Sequence, residues 1–221
     1  MKIIISGYGK MGHMVEVALL RRGLELAEAS EDVCSVDPAL AAQCVCIDFT
    51  TPAAFRENYK WMATHFKAVV VGTTGWDDIF EDVVGAFNAA GTPMVYSSNY
   101  SIGVNAVFAA LEKVGSILKG NGYVPHIEEI HHVHKLDAPS GTAKTMASIV
   151  DQSLGIRPDI TSIRQGEVPG THVVKFKSEV DKIKISHEAF SREGFADGAV
   201  LAAILTEGLV GVHSFKELIL K

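Results

Sequence analysis

Cysteine is sparse in this 221-residue chain: three residues, at 34, 44 and 46, an odd number without C-x-x-C spacing. That usage excludes a disulfide framework and agrees with a reducing compartment. Apolar runs of membrane-spanning length are missing too, and the first residues run straight into a strand pattern without the layout of a signal peptide. A soluble, cytoplasmic protein with no membrane partner is therefore expected. Basic residues do not dominate either: 20 Lys and Arg stand against 26 Asp and Glu, for a formal charge of -6. No nucleic-acid partner is expected, and any anion must be held by local cationic groups. Repeats, low-complexity runs and long linkers are absent. With 48% hydrophobic residues the chain can still bury a sizeable core, as one large domain or two small ones.

What the chain does have is concentrated between residues 128 and 142. His131, His132, His134 and Lys135 fall within five positions, followed by the rigid Asp137-Ala138-Pro139 turn and by Ser140-Gly141-Thr142. Apolar residues at 127, 130 and 133 predict a strand, which puts Glu129, His131, Val133 and Lys135 on one face and His132 and His134 on the other. A straight strand holds His131 and Lys135 about 13 Å apart, too far for one small ligand, so the strand is expected to end near His134 and the chain to curl inward. Pro139 supports that bend. From Ser140 the apolar spacing turns helical, through Met146, Ala147, Val150 and Leu154, with Ser140 as N-cap and Gly155 as the stop. The start of this helix aims free amides and the positive end of its dipole at the histidines, which suits a carboxylate or phosphate. Ser-Gly-Thr is more often only a cap, and three histidines also fit a zinc site. Only His132 and His134 share a face, however, and the cysteines lie far away, so no metal is expected.

Residues 2 to 12 carry a second signal. Lys2-Ile3-Ile4-Ile5-Ser6 reads as a buried parallel strand, and Gly7-Tyr8-Gly9-Lys10-Met11-Gly12 follows as G-x-G-x-x-G before a helix that closes at Arg21-Arg22-Gly23. In that setting the hexapeptide predicts a dinucleotide, its pyrophosphate at a helix start. Glu31 lies where an acid reads ribose hydroxyls, with Asp32 as a rival; a carboxylate there repels a 2'-phosphate, so NADH or NADPH is expected, NADH at least as well. Strand and helix patterns then alternate through Cys44–Phe49, Pro52–Phe66, Lys67–Val71 and Thr92–Ser97. The prediction is an α/β fold, a Rossmann-like doubly wound parallel sheet, with the turns at Gly72-Thr73-Thr74 and Ser97-Ser98-Asn99-Tyr100 beside the glycine loop at the strand ends.

Beyond Tyr100 the pattern changes. Helices are predicted from Val104 to Leu118 and from Ser140, with strands at Tyr123–His134, Asp159–Arg164, Thr171–Lys177 and Asp181–Phe190, the last two joined as a hairpin. This is a smaller α+β domain with a mixed sheet, and its uncovered face calls for another subunit. The domains expected are residues 1–100, completed by 192–221, for dinucleotide binding, and 101–191 for substrate binding and oligomerisation. Two other classes, a different two-domain dehydrogenase and a dinucleotide-sensing regulator, fit the glycine loop alone; the regulator needs a basic DNA-binding segment that is absent.

Across nearly its whole length the sequence resembles the 4-hydroxy-tetrahydrodipicolinate reductase (dihydrodipicolinate reductase) family. The resemblance rests on Gly7 to Gly12, Asp48-Phe49-Thr50, Gly72-Thr73-Thr74-Gly75, Ser98 to Asn105 and above all Glu129 to Ala143. It implies NAD(P)H-dependent reduction, with loss of water, of a dicarboxylate intermediate of diaminopimelate and lysine biosynthesis. His131 is implied as proton donor and acceptor, Lys135 as a second donor, and His132 with Gly141 and Thr142 as the substrate-binding set, to which the helix start read above adds Ser140. Cofactor contacts are implied at Gly7 to Gly12, Glu31, Gly72 to Thr74 and Ser97 to Tyr100, as is a homotetramer joined through the second domain. The segment between Glu31 and Asp48 is shorter than in the family's long form.

Overall fold

The computed structural model describes residues 1–220, which divide into two compact units: Met1–Ser101 together with the chain from Glu193 onward, and Ile102–Arg192. In the first unit, β1 (Lys2–Ser6), β2 (Glu25–Ser30), β3 (Cys44–Asp48), β4 (Ala68–Val71), β5 (Met94–Tyr96) and β10 (Val212–Ser214) form a parallel sheet ordered β10-β5-β4-β3-β1-β2. The unbroken apolar run of β1 is explained by burial on both faces. Ile3 and Ile5 pack into the core formed with α1 (Lys10–Arg21) and α7 (Glu193–Leu205), while Ile4 faces the core of α3 (Pro52–His65) and α4 (Phe80–Ala90). Chain order reverses where β1 lies between β2 and β3, which is where open α/β sheets bind ligands at their carboxyl edge.

Between β2 and β3 the shortened segment holds a single 3-10 turn, Val33–Ser35, and the one-turn helix α2 (Pro38–Ala41). The sixth strand, β10, was not legible in the sequence: three residues, Val212, His213 and Ser214, are strand only because they pair with Met94, Val95 and Tyr96. A capping box opens α8 (Phe215–Ile219), where Ser214 Oγ accepts from Glu217 N at 3.3 Å and Glu217 Oε2 accepts from Ser214 N at 3.1 Å.

The second unit is a four-stranded mixed sheet, β7 (Asp159–Arg164), β6 (Val124–His131), β8 (Gly170–Lys177) and β9 (Lys182–Ala189), in that order, with β6 and β7 parallel and the other pairs antiparallel. Helices α5 (Ile102–Leu118) and α6 (Gly141–Leu154) cover one face and share a core with Ile127, Val174 and Phe176. The two helices meet closely at Gly115, where an added Cβ would lie 2.0 Å from Ser153 Oγ. The strand expected at Asp181–Phe190 is β9, on which Ile183 and Ile185 pack on this core while the alternate Lys182 and Lys184 are exposed. Strand β6, by contrast, stops at His131 rather than His134. The amides of His132 and Val133 turn to the carbonyls of Val168 and Gly166, in the loop after β7, and leave the ladder.

Candidate active site

Three strand ends of the first unit are bound together by one buried carboxylate. Asp48, fully buried at the end of β3, accepts from Ser6 Oγ at 2.8 Å, Thr50 Oγ1 at 3.0 Å and Thr73 Oγ1 at 2.6 Å. Burial pushes its carboxyl up, against the pull of these hydroxyls. Around this point the glycine loop folds tightly. Gly7 has a φ of +86°, a Cβ there would lie 2.5 Å from Phe49 O, and a Cβ on Gly12 would lie 2.4 Å from Gly7 O. Gly9, the N-cap of α1, has nothing within 4 Å of such a Cβ, so the backbone there is open to a close ligand. Glu31 is brought to this loop, its Oε1 accepting from Tyr8 N at 3.2 Å. Tyr8 also donates its hydroxyl to Glu16. Lys10 and Met11 open α1, Lys10 exposed and Met11 against the core.

The other two turns are more committed to the fold than the sequence suggested. The Thr73 hydroxyl is spent on Asp48, and Gly72 sits against the Phe49 ring, whereas Thr74 and Ser98 are exposed. Ser97 Oγ donates to Asn99 O at 2.8 Å, and Asn99 Oδ1 accepts from Ser101 N at 2.9 Å. Tyr100 is buried, its hydroxyl donating to the carbonyls of Val71 and Val95, so only its backbone is left for a ligand.

In the second unit the sheet itself assembles the charged groups. Glu129 and His131 project from β6 toward the helices, and the register sets Arg164 of β7 opposite His131 and His172 of β8 opposite Glu129. Glu129 is fully buried; one carboxylate oxygen meets His131 Nδ1, and the other lies 3.0 Å from Arg164 Nη2. Burial pushes the Glu129 carboxyl up, but Ser162, Arg164 and His131 together hold it below its usual range. Burial likewise draws the His131 imidazole down; Glu129 opposes that, while Lys135 and Arg164 add to it. His172 packs edge-on to His131, ring centroids 5.1 Å apart, and its Nε2 is 3.2 Å from Ser140 Oγ. Burial and the neighbouring His131 lower its pKa to about 4, so it is neutral at ordinary pH.

The chain from His132 to Ser140 wraps around this cluster. Lys135 Nζ pairs with Asp137 Oδ1 at 2.7 Å, and Arg164 donates to the carbonyls of Lys135 at 3.3 Å and Asp137 at 2.6 Å. His132 Nε2 lies 3.2 Å from Arg192 Nη2, and exposed His134 pairs with Glu167. Ser140 caps α6, its Oγ accepting from Ala143 N at 3.2 Å. Exposed Gly141 and half-exposed Thr142 follow at the helix start, where helix geometry leaves the first amides without intrahelical acceptors. The chain thus returns Ser140 to the cluster through His172, keeps Lys135 near enough to act on the His131 ring, and leaves His134 exposed.

Glu129, His131 and His172 present donor atoms within 4.8 Å of one another, as a metal site does. The carboxylate is already shared between the His131 ring and the Arg164 guanidinium, and a cation placed there would face that guanidinium. Arg164 and His172 were missed in the sequence, and Glu129 was noted for its face and within the resemblance, without a role of its own. The available signal was an acid at an inward strand position, whose burial is costly unless partners, here a cation and an imidazole, satisfy it.

Two family models cover the chain: "Dihydrodipicolinate reductase, N-terminus" over residues 1–100 and "Dihydrodipicolinate reductase, C-terminus" over residues 103–219. A 4-hydroxy-tetrahydrodipicolinate reductase of Christiangramia forsetii is 36% identical, across 99% of this chain and 98% of the relative. One of the same name from Akkermansia muciniphila is 35% identical, across 93% and 92%. Among solved structures, a dipicolinate-bound dihydrodipicolinate reductase from Paenisporosarcina sp. TG-14 superposes with a TM-score of 0.78 at 19% identity, across 96% of this chain and 97% of that one.

Proposed function

The chain belongs to the dihydrodipicolinate reductase family, and on that premise we propose that it reduces 4-hydroxy-tetrahydrodipicolinate to tetrahydrodipicolinate, with loss of water, on the diaminopimelate route to lysine. The convergence of His131, Lys135 and the start of α6 carries the reading: a proton donor, a cation and a helix end within one unit.

A dinucleotide fits the first unit because the clearances at Gly7 and Gly12 admit no side chain while the backbone at Gly9 stays open. Gly7 to Gly12 would hold the pyrophosphate, Glu31 the adenosine ribose, and Gly72 to Thr74 with Ser97 to Tyr100 the nicotinamide end. When bound, reduced nicotinamide supplies a hydride to the substrate ring. NADH serves at least as well as NADPH in this proposal, since the Glu31 carboxylate would repel a 2'-phosphate.

His131 supplies the proton that the electron-rich ring carbon needs after reduction, from the ring nitrogen that Glu129 does not occupy, and it assists departure of the hydroxyl as water. Lys135 steadies negative charge developing on the ring. His132, Ser140, Gly141 and Thr142 take a substrate carboxylate at the helix end, which positions the ring without making bonds. Residues 102–192 thus form the substrate unit, and the sheet face away from α5 and α6, which carries Ile130, Ile163 and Val173, joins subunits into a homotetramer. A cytoplasmic location suits Cys34, Cys44 and Cys46, all free, and no helix among the described residues is long and apolar enough to cross a membrane.

The test is loss of NADH absorbance on adding freshly prepared 4-hydroxy-tetrahydrodipicolinate. Steady oxidation that requires both components is expected. A purified, folded protein with no turnover on either coenzyme would end the proposal.

A further inference from the structure

We propose that Glu129 and Arg164 are a positioning pair: the carboxylate fixes which nitrogen His131 offers to the substrate, and the guanidinium ties that carboxylate to the loop bearing Lys135. The proposal rests on the reductase reading above and deepens it.

Glu129 is fully buried on the inward face of β6, between Ile127, which packs on the helices, and His131, where an apolar side chain would cost less. Its two oxygens are divided between two partners, His131 Nδ1 and Arg164 Nη2. Engagement of Nδ1 leaves Nε2 as the exchangeable position. The space beside Nε2 is kept by Gly170, where a Cβ would lie 3.0 Å from that nitrogen and 3.3 Å from the neighbouring ring carbon. Arg164 then does what a simple counter-ion does not: its Nε and Nη2 donate to the Lys135 and Asp137 carbonyls. The histidine, at the end of β6, and the lysine, four residues on where the chain has left the sheet, are thereby referred to one rigid group. The charged and titratable groups around the His131 ring are Glu129 on its own strand, Arg164 on β7, His172 on β8 and Lys135 on the loop. Of these only Glu129 favours the imidazolium.

Two roles are separable by kinetics. Glu129→Gln removes the charge and keeps the shape; kcat should fall about a hundredfold, substrate KM should stay within about twofold, and the high-pH limb of the kcat profile, where the imidazolium loses its proton, should move to lower pH. Arg164→Lys keeps a cation near Glu129 but loses the fork on the loop carbonyls. That variant should raise substrate KM about tenfold with the limb in place. Parental kcat and a superimposable pH profile in Glu129→Gln, or parental KM in Arg164→Lys, overturns the proposal. Nitrogen NMR of the unaltered protein needs no variant to fold. With His131 assigned, a neutral ring protonated on Nδ1 is expected, and one protonated on Nε2 overturns it. An unaltered enzyme that does not turn over at all defeats the reductase reading instead, and leaves the tautomer measurement standing.

Discussion

On the proposed function Lys135 must leave the Asp137 carboxylate to steady charge on the substrate ring, and Asp137→Asn measures the cost. Lys135 Nζ and Asp137 Oδ1 are 2.7 Å apart, with the side chains 24% and 51% exposed. At that separation Coulomb's law with the permittivity of water gives about 1.5 kcal/mol, and with the effective value of 20 used near protein surfaces about 6 kcal/mol. Exposure on the aspartate side decides for the lower end, because solvent-exposed pairs are worth about 0.5–1 kcal/mol once screening and side-chain entropy are counted. Freeing the ammonium should thus lower substrate KM about two- to fivefold, at about 1.4 kcal/mol per decade. The substitution leaves the Asp137 backbone carbonyl on Arg164 untouched. Initial rates of NADH oxidation against substrate concentration are the assay, at low salt and again at high salt, where the gain should shrink. Lys135 holds the Asp137 carboxyl below its ordinary range, so the pair persists above the unperturbed carboxylate pKa and is lost only as pH falls through the lowered one. Between neutral and mildly alkaline pH the gain should therefore be constant. A KM that rises in Asp137→Asn refutes the reasoning, since Asp137 would then be aiming Lys135 and not detaining it.

Other perturbations reach the remaining claims. His131→Gln should lower kcat about a hundred- to ten-thousandfold with little change in substrate KM, and Thr142→Val should do the reverse, raising KM with kcat nearly kept; steady-state kinetics distinguishes the two. His172 is 5% exposed with a pKa lowered from 6.5 to about 4. Its neutral form is favoured by the fold, so its contribution is whole above the unfolded value and is lost as pH falls toward the folded one, up to about 3 kcal/mol. Urea unfolding at neutral and acid pH should show a shallower pH slope in His172→Asn than in the parent. Gly198→Ala would set a Cβ 1.8 Å from Tyr100 O in the packing of α7 on the first unit, which should cost about 1–3 kcal/mol or more, read as a lower Tm.

Local signals made much of this molecule legible from sequence. The isoleucine run before the glycine loop, the Ser140 cap with its Gly155 stop, and the alternation along β9 each follow from rules that act over a few residues. What stayed hidden depends on pairing between distant segments. Arg164 meets Glu129, 35 positions earlier, only through the β6–β7 register, and His172 reaches His131 only through β6 and β8. Tyr100 was read with the polar turn that it ends, and the sequence did not show that its ring packs in the core beside Phe215, leaving its backbone to face a ligand. Strand β10 has too little sequence of its own to announce a strand and borrows its geometry from β5.

The Asp48 network has a practical corollary for redesign. Because Ser6, Thr50 and Thr73 all lean on the same buried acid, the segments leaving β1, β3 and β4 are mechanically fused, and a graft that swaps only the hexapeptide to alter coenzyme taste would inherit anchors shaped for its predecessor. Moving the three strand ends as one cassette, acid included, respects how this scaffold is wired.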